Sequence, residues 1–129
     1  MIYATFDYRF LILAVLIGLL AGSLLSRRGK VDKSKISGID LDTFMDMKRK
    51  GTLVDIRKES LYKMGKIIGA KNMPNSSGAK NSSIRKDIPI FIYDEDGRKA
   101  NGVAKNYVRN GAVMVYYLKG GYKEYNKEK

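Results

Sequence analysis

The chain has 129 residues, 25 Lys and Arg against 13 Asp and Glu, a formal charge of +12, and neither His nor Cys. This length suits one compact domain with an appendage. The missing residue types exclude disulfides, thiolate nucleophiles, persulfides and iron–sulfur clusters, together with the histidines that most often act as general bases and zinc ligands.

An apolar segment, FLILAVLIGLLAGSLLS, occupies residues 10–26 and follows a short tail of residues 1–9. Its seventeen residues carry no charge, and eleven of them are Leu, Ile, Val or Phe. A helix of this length covers about 25 Å, close to the hydrocarbon thickness of a bilayer. The segment therefore predicts one transmembrane helix. The alternatives are a buried helix, which should show a polar face, and a cleaved signal peptide, which should carry its positive charge before the apolar run.

Basic residues follow the apolar segment, because residues 27–35 contain five Lys or Arg and one Asp. The positive-inside rule then places the C-terminal part in the cytoplasm, as a single-pass protein of the cell membrane. The wider stretch 27–38 is polar and contains two glycines, which is typical of a linker, and we assign the basic linker to residues 27–35. Membrane lipids are thus the expected partners of residues 10–35. Gly18 and Gly22 form a GxxxG pair that favours a homodimer, with chance spacing as the alternative.

The remaining residues, 36–129, are expected to form one domain. Asp40 resembles the N-cap of a short helix that ends at Gly51, and residues 100–108 carry one apolar stripe at helical spacing. Apolar, β-branched runs predict strands over residues 52–56, 88–93 and 113–117. Residues 75–83 are polar and predict a surface loop. The order strand, helix, strand indicates an α/β fold with a mostly parallel sheet flanked by helices.

Two groups of motifs give the chain a family likeness. The first consists of Asp55-Ile56-Arg57 after a strand, then Tyr62, Gly65, Ile67, Gly69-Ala70, Asn72 and Pro74. The second consists of Tyr93, Gly97, Val115, Leu118-Lys119-Gly120-Gly121 and Tyr125. In this order they resemble the rhodanese-like domain family over residues 36–127. Lys66, Ile68 and Tyr125 stand where that family usually has His, Pro and Trp.

The loop after Tyr93 departs from the family in its chemistry. Active rhodaneses carry a cysteine directly after this strand, in a loop whose backbone amides hold a persulfide. Here the loop reads Asp94-Glu95-Asp96-Gly97-Arg98-Lys99, so that Asp94 takes the cysteine position and Lys99 that of an arginine. A carboxylate cannot carry sulfane sulfur. The resemblance therefore implies a fold, while the loop predicts that the domain is inactive in sulfur transfer and has no catalytic residues.

The acidic loop has three other conceivable roles. Asp94, Glu95 and Asp96 could bind a metal through oxygen, but their spacing does not match an EF-hand. Asp94 could act as a nucleophile, but no second catalytic group is evident. The favoured interpretation is structural, with the carboxylates satisfying the N–H groups at the start of the next helix.

The sequence thus predicts a membrane-tethered, inactive rhodanese-like domain that serves as a protein-binding or scaffolding module, without a cofactor. The alternative is a sulfurtransferase-related enzyme that works with a cysteine supplied by a partner. We do not expect nucleic-acid binding, because the chain lacks a basic stripe with interleaved aromatics and a known binding motif.

Overall fold

The computed structural model describes residues 8–28 and 31–128, with side chains for 8–20 and 31–128. It divides the chain into two units, Met1–Val31 and Asp32–Lys129. In the first unit, helix α1 runs from Tyr8–Arg28. Its large apolar side chains between Phe10 and Leu20 are each more than half exposed. Within the part of the chain that was described, no helix has both the length and the apolar character of a membrane span.

The second unit is built on a five-stranded parallel sheet with the order β1-β5-β4-β2-β3. Its strands are β1 (Ile36–Ile39), β2 (Thr52–Asp55), β3 (Lys71–Asn72), β4 (Ile90–Tyr93) and β5 (Val115–Leu118). The predicted α/β class is confirmed, and so is the parallel pairing of the strands on either side of the 100–108 helix.

The helices of this unit are short. They are α2 (Leu41–Met47), α3 (Glu59–Met64), α4 (Ala100–Arg109) and α5 (Gly121–Lys127), with 3-10 turns at Lys33–Lys35 and Lys48–Lys50. Asp40 caps α2 as predicted, since its carboxylate accepts a hydrogen bond from the Thr43 N–H at 2.9 Å. Because the first 3-10 turn is regular structure, the predicted linker 27–35 contains an ordered end.

The core lies on both faces of the sheet, because successive side chains of a strand point to opposite sides. In β4, Ile90 and Ile92 pack into one cluster with α4, whereas Phe91 and Tyr93 pack into a second cluster with α2 and α5. All four β4 side chains are fully buried. Strand β4 is thus the centre of the domain, and the loop that follows it is positioned from both faces.

Three of the predicted segments need correction. Residues 36–38, part of the stretch that resembled a linker, form an edge strand with Ile39, paired to β5. The predicted surface loop 75–83 is only partly at the surface, because Gly78 and Ala79 are buried and Ala79 belongs to the core. Small side chains allow this close packing despite the polar composition. The strand over 113–117 also shifts, since Val113 is 48% exposed and the strand begins at Val115.

Candidate functional site

The loop between β4 and α4 is folded around the side chain of Asp94. This carboxylate is 3% exposed, and its Oδ1 accepts a hydrogen bond from the Gly97 N–H at 2.7 Å. Its Oδ2 accepts one from the Lys99 N–H at 2.8 Å, directly before α4 begins. Lys99 is the N-cap residue of α4, so Oδ2 meets an N–H that would otherwise lack a partner at the start of a helix, whereas Oδ1 meets an N–H within the loop. The prediction that a carboxylate satisfies an N–H at the start of this helix is confirmed for Asp94 at the Lys99 N–H.

The other two carboxylates of the loop have different partners. Glu95 is half-buried and forms an ion pair with Arg57, with 3.1 Å between Oε2 and the guanidinium. Asp96 is exposed, and its carboxylate accepts a hydrogen bond from the Arg98 N–H at 3.1 Å. In residues 8–28 and 31–128, no group of three or more carboxylates is arranged to hold a metal ion. The three neighbours in sequence thus have three separate structural roles.

Arg57 links the loop to the strand beside it. Its guanidinium donates to the buried Asp55 carboxylate, with Nη2 to Oδ2 at 2.8 Å and Nε to Oδ1 at 3.1 Å. It also donates to the Gly65 carbonyl. The side chain is only 3% exposed. Sequence reasoning placed Arg57 in a family motif but gave it no function, because its partner Glu95 lies 38 residues away.

Aromatic rings complete the surroundings of Arg57. The guanidinium carbon lies 3.9 Å from the ring centre of Tyr122 and 5.7 Å from that of Tyr93. Burial alone lowers the pKa of Arg57, but its hydrogen bonds to Asp55 and Glu95 outweigh this and raise the pKa above its ordinary value. For the Tyr93 hydroxyl, whose charged form is an anion, burial has the opposite effect and raises the pKa. Arg57 is therefore a permanent cation at the centre of the site.

Helix α5 supports the loop from behind. The Tyr122 N–H donates to the Asp94 carbonyl at 2.7 Å, and the Lys123 N–H donates to the Glu95 carbonyl at 3.0 Å. Gly121 has φ +65°, and a Cβ there would come within 2.6 Å of the Glu95 carbonyl carbon. Only glycine permits this approach of helix to loop. Backbone contacts from α5 thus stabilise the loop in addition to the hydrogen bonds that the Asp94 side chain makes within it.

The first group of motif residues fixes the neighbouring turn. The Asn72 side-chain amide donates to the carbonyls of Asp55, at 3.2 Å, and Arg57, at 2.9 Å. The Ile67 N–H donates to the Tyr93 hydroxyl at 3.1 Å. These bonds bring the two motif groups of the sequence together at the carboxyl ends of β2 and β4, where ligands of parallel sheets usually bind.

Two clefts open beside this network. One, of about 270 Å³, is lined by Lys58, Leu61, Asn75, Lys99 and the acidic residues of the loop, among others. The other, of about 250 Å³, is lined by residues that include Leu61, Met64 and Tyr122. The paired side chains of Arg57 and Glu95 line both clefts. Of the predicted loop residues, Asp94, Glu95, Asp96 and Lys99 face the larger cleft, whereas Gly97 and Arg98 do not line it.

Comparison with known proteins identifies the family. The family model described as "Rhodanese-like domain" matches residues 40–128, which is more than half of the chain. The chain belongs to the rhodanese-like domain family. This confirms the resemblance carried by the two motif groups.

Among curated proteins, the domain is similar to an uncharacterised protein of Bacillus subtilis, with 33% identity over 78 residues. The match covers 60% of this chain and 62% of that relative. The chain thus spans less than two thirds of the relative's length. Among solved structures, it is similar to the rhodanese-like domain of an Anabaena protein, at 28% identity and a TM-score of 0.56, covering 60% of this chain and 92% of that one.

A human single-domain sulfurtransferase has the same fold. It aligns with a TM-score of 0.64 over 71% of this chain and 96% of its own, at 16% identity. The rhodanese-like domain described here has no Cys with which to form a persulfide. At the start of α4 it instead holds the Asp94 carboxylate on backbone N–H groups.

Proposed function

We propose that this rhodanese-like domain is a non-catalytic binding module. The observation that carries the proposal is the pair of hydrogen bonds from the Gly97 and Lys99 N–H groups to Asp94. Backbone donors at the start of a helix favour an anion. In this chain the two N–H groups already donate to the Asp94 carboxylate, an anion that is covalently part of the loop. An anionic substrate group would therefore have to displace a buried carboxylate.

The charges around the loop support the same proposal. A persulfide-bearing loop must stabilise a thiolate, which requires a positive potential. The nearest buried cation, Arg57, is already paired with Asp55 and Glu95. A thiol introduced at position 94 would therefore meet a cation whose charge is largely compensated.

Thiosulfate:cyanide sulfurtransferase assays test this proposal. The unmodified chain should form no thiocyanate above the uncatalysed rate, and Asp94→Cys alone should recover little. Adding Glu95→Gln removes one of the two carboxylates paired with Arg57, and Lys99→Arg places a planar guanidinium at position 99. Together they should raise the activity of Asp94→Cys roughly tenfold or more, as expected when a thiol pKa falls by one unit. Thiocyanate formation by the unmodified chain would refute the proposal. Activity that appears only with a thiol-bearing partner protein would favour the alternative of a partner-supplied cysteine.

We also propose that residues 10–26 tether the domain to a membrane, with residues 27–129 in the cytoplasm. The support is the uncharged apolar sequence, its exposed side chains between Phe10 and Leu20, and the basic residues that follow it. A reporter that is active only in the cytoplasm, fused after Lys129, should be active and should sediment with membranes. A reporter that is exported, or a mature chain beginning near Ser23, would contradict the tether.

The larger cleft is the proposed contact surface for a protein partner. Its rim includes Lys58, Leu61 and Lys99, which border the buried Asp94 and offer both apolar and charged contacts. Gentle solubilisation of native membranes followed by mass spectrometry should recover a partner with the wild-type chain. Lys58→Glu with Lys99→Glu should abolish that recovery, whereas Lys80→Glu with Lys123→Glu, the same charge change at exposed sites outside the cleft, should preserve it. Equal recovery by both variants would place the contact elsewhere.

A further inference from the structure

Two large apolar side chains project from one short segment beside the site. Met64 is 84% exposed and Ile68 is 82% exposed. Among the residues described in the second unit, Val113, at 48%, is the other exposed large hydrophobic residue. Single exposed apolar residues are ordinary on protein surfaces. Met64 and Ile68 lie within five residues of each other and each has most of its surface in water, which indicates a surface that a binding partner covers.

The segment is held in a fixed conformation. Ile67 is 1% exposed, and the Ala70 N–H donates to its carbonyl at 3.1 Å. Together with this hydrogen bond, the positive φ of Gly69, +91°, shows that residues 67–70 form a tight turn. Ile68 is at the outer corner of the turn. The hydrogen bond from Arg57 to the Gly65 carbonyl holds the preceding residues. The fold therefore presents Ile68 to solvent and does not leave it there through disorder.

The same segment is strongly basic. Residues 58–71, which we call the basic tip, contain four lysines and one acidic residue, Glu59. The pair between Lys63 and Glu59 joins two side chains that are each about 70% exposed, so it neutralises little. Lys66 donates to the Tyr62 hydroxyl at 3.1 Å and keeps further donors for other partners. Apolar side chains surrounded by ammonium groups are the pattern of a surface that meets anionic lipid.

We propose that the basic tip docks on an anionic membrane surface, with Lys63, Lys66 and Lys71 among the headgroups and Met64 and Ile68 entering the boundary of the acyl chains. This inference depends on the proposed tether, which would bring the domain to a membrane. A stable protein interface buries about 800 Å² on each side around a well-packed apolar centre. Two apolar side chains among lysines offer far less than this, whereas a fluid bilayer needs no complementary shape.

A single-site fluorescent label tests the docking directly. The chain has no Cys, so Ile68→Cys in the full-length chain gives one attachment point for an environment-sensitive fluorophore. The labelled chain is added to vesicles of phosphatidylcholine alone or with phosphatidylglycerol, and flotation is measured alongside emission. Asn101→Cys, an exposed α4 position outside the basic tip, carries the label in the control.

The expected result is a blue-shifted emission from position 68 that brominated lipids quench, present with phosphatidylglycerol and reversed by high salt. The label at position 101 should stay in water. Lys63→Gln with Lys66→Gln, introduced alongside Ile68→Cys, should lower the ratio of shielded to unshielded label about thirtyfold, given about 1 kcal/mol for each of the two lysines near an anionic surface. The matched pair Lys80→Gln with Lys123→Gln removes the same charge elsewhere and should leave the shielding intact.

Failure of the docking and failure of the tether give different results. If the chain floats with vesicles but position 68 stays in water, the docking is refuted and the tether stands. If flotation occurs only with phosphatidylglycerol and is lost with Lys63→Gln and Lys66→Gln, the docking stands and the tether is refuted. A chain that does not float with either vesicle overturns both, and shielding that is equal with and without anionic lipid overturns the proposed lipid chemistry.

Discussion

Replacing Asp94 with Asn keeps the size of the side chain but removes its charge and one of its two acceptor oxygens. The new NH₂ group must then face the N–H of either Gly97 or Lys99, which now donate to Asp94 at 2.7 and 2.8 Å. One N–H donor at the start of α4 is left without an acceptor, at a cost of about 1–3 kcal/mol, and the other bond loses its charge assistance. The expected loss is about 3 kcal/mol of unfolding free energy.

For a domain of this size, each kcal/mol shifts the melting temperature by about 4–8 °C, so Asp94→Asn should lower it by roughly 12–24 °C. The chain lacks Trp, so the transition is followed by far-ultraviolet circular dichroism of the full-length chain in detergent. Asp96→Asn is the matched control, because Asp96 is exposed and makes one hydrogen bond to a backbone N–H. Asp96→Asn should lower the unfolding free energy by less than about 1 kcal/mol. Equal melting temperatures for the two variants would show that Asp94 does not hold the loop.

Three further outcomes are expected. Arg57→Lys should lower the unfolding free energy, measured by chemical denaturation, by about 3 kcal/mol or more, because it breaks a buried two-point contact with Asp55. The control is Arg85→Lys, at an exposed arginine that also makes a two-point contact with an Asp two residues away, and it should cost under about 0.5 kcal/mol. Equal costs would contradict the buried network. Gly78→Ala should destabilise the domain, because its Cβ would clash with the hydroxyl of the buried Tyr107. Tyr107→Phe removes that hydroxyl and should recover part of the lost stability, whereas additive effects of the two substitutions would refute this contact. Burial raises the pKa of Tyr107 from 10.0 to about 12, so the stability that depends on the neutral hydroxyl is fully present below pH 10 and is lost as the pH rises toward 12. Tyr107→Phe should reduce that loss of unfolding free energy by roughly 2–3 kcal/mol. An unchanged profile of stability against alkaline pH would contradict this role of Tyr107.

The parts of the fold that could be predicted from sequence are those with local signals. Strand β4 is a continuous apolar run and β2 contains the buried pair Leu53 and Val54, because both strands lie inside the sheet. Helix α4 carries an apolar stripe because one of its faces is buried against the sheet. The capping role of Asp94 was also predictable, since its donors lie only three and five residues further along the chain.

What could not be predicted depends on contacts between distant residues. Strand β1 contains Gly38, which weakens the strand signal, and the end of the Tyr117 side chain packs against this glycine, where a Cβ would come within 2.6 Å of the ring. Strand β3 has only two residues, too few for any periodicity. The bond between Arg57 and Glu95 joins elements 38 residues apart, and no local pattern in either segment indicates it.

The support given by α5 has a consequence for how the loop can change. Backbone bonds from Tyr122 and Lys123 hold residues 94 and 95 by their carbonyls, and Gly121 fits against the same peptide groups. None of these contacts depends on which side chains the loop carries. An exchange of the side chain at position 94 or 95, in evolution or by a protein engineer, therefore leaves these backbone contacts in place, even where it lowers the stability of the domain. The chemistry of the side chain at position 94 can therefore change without a change in the fold of the domain.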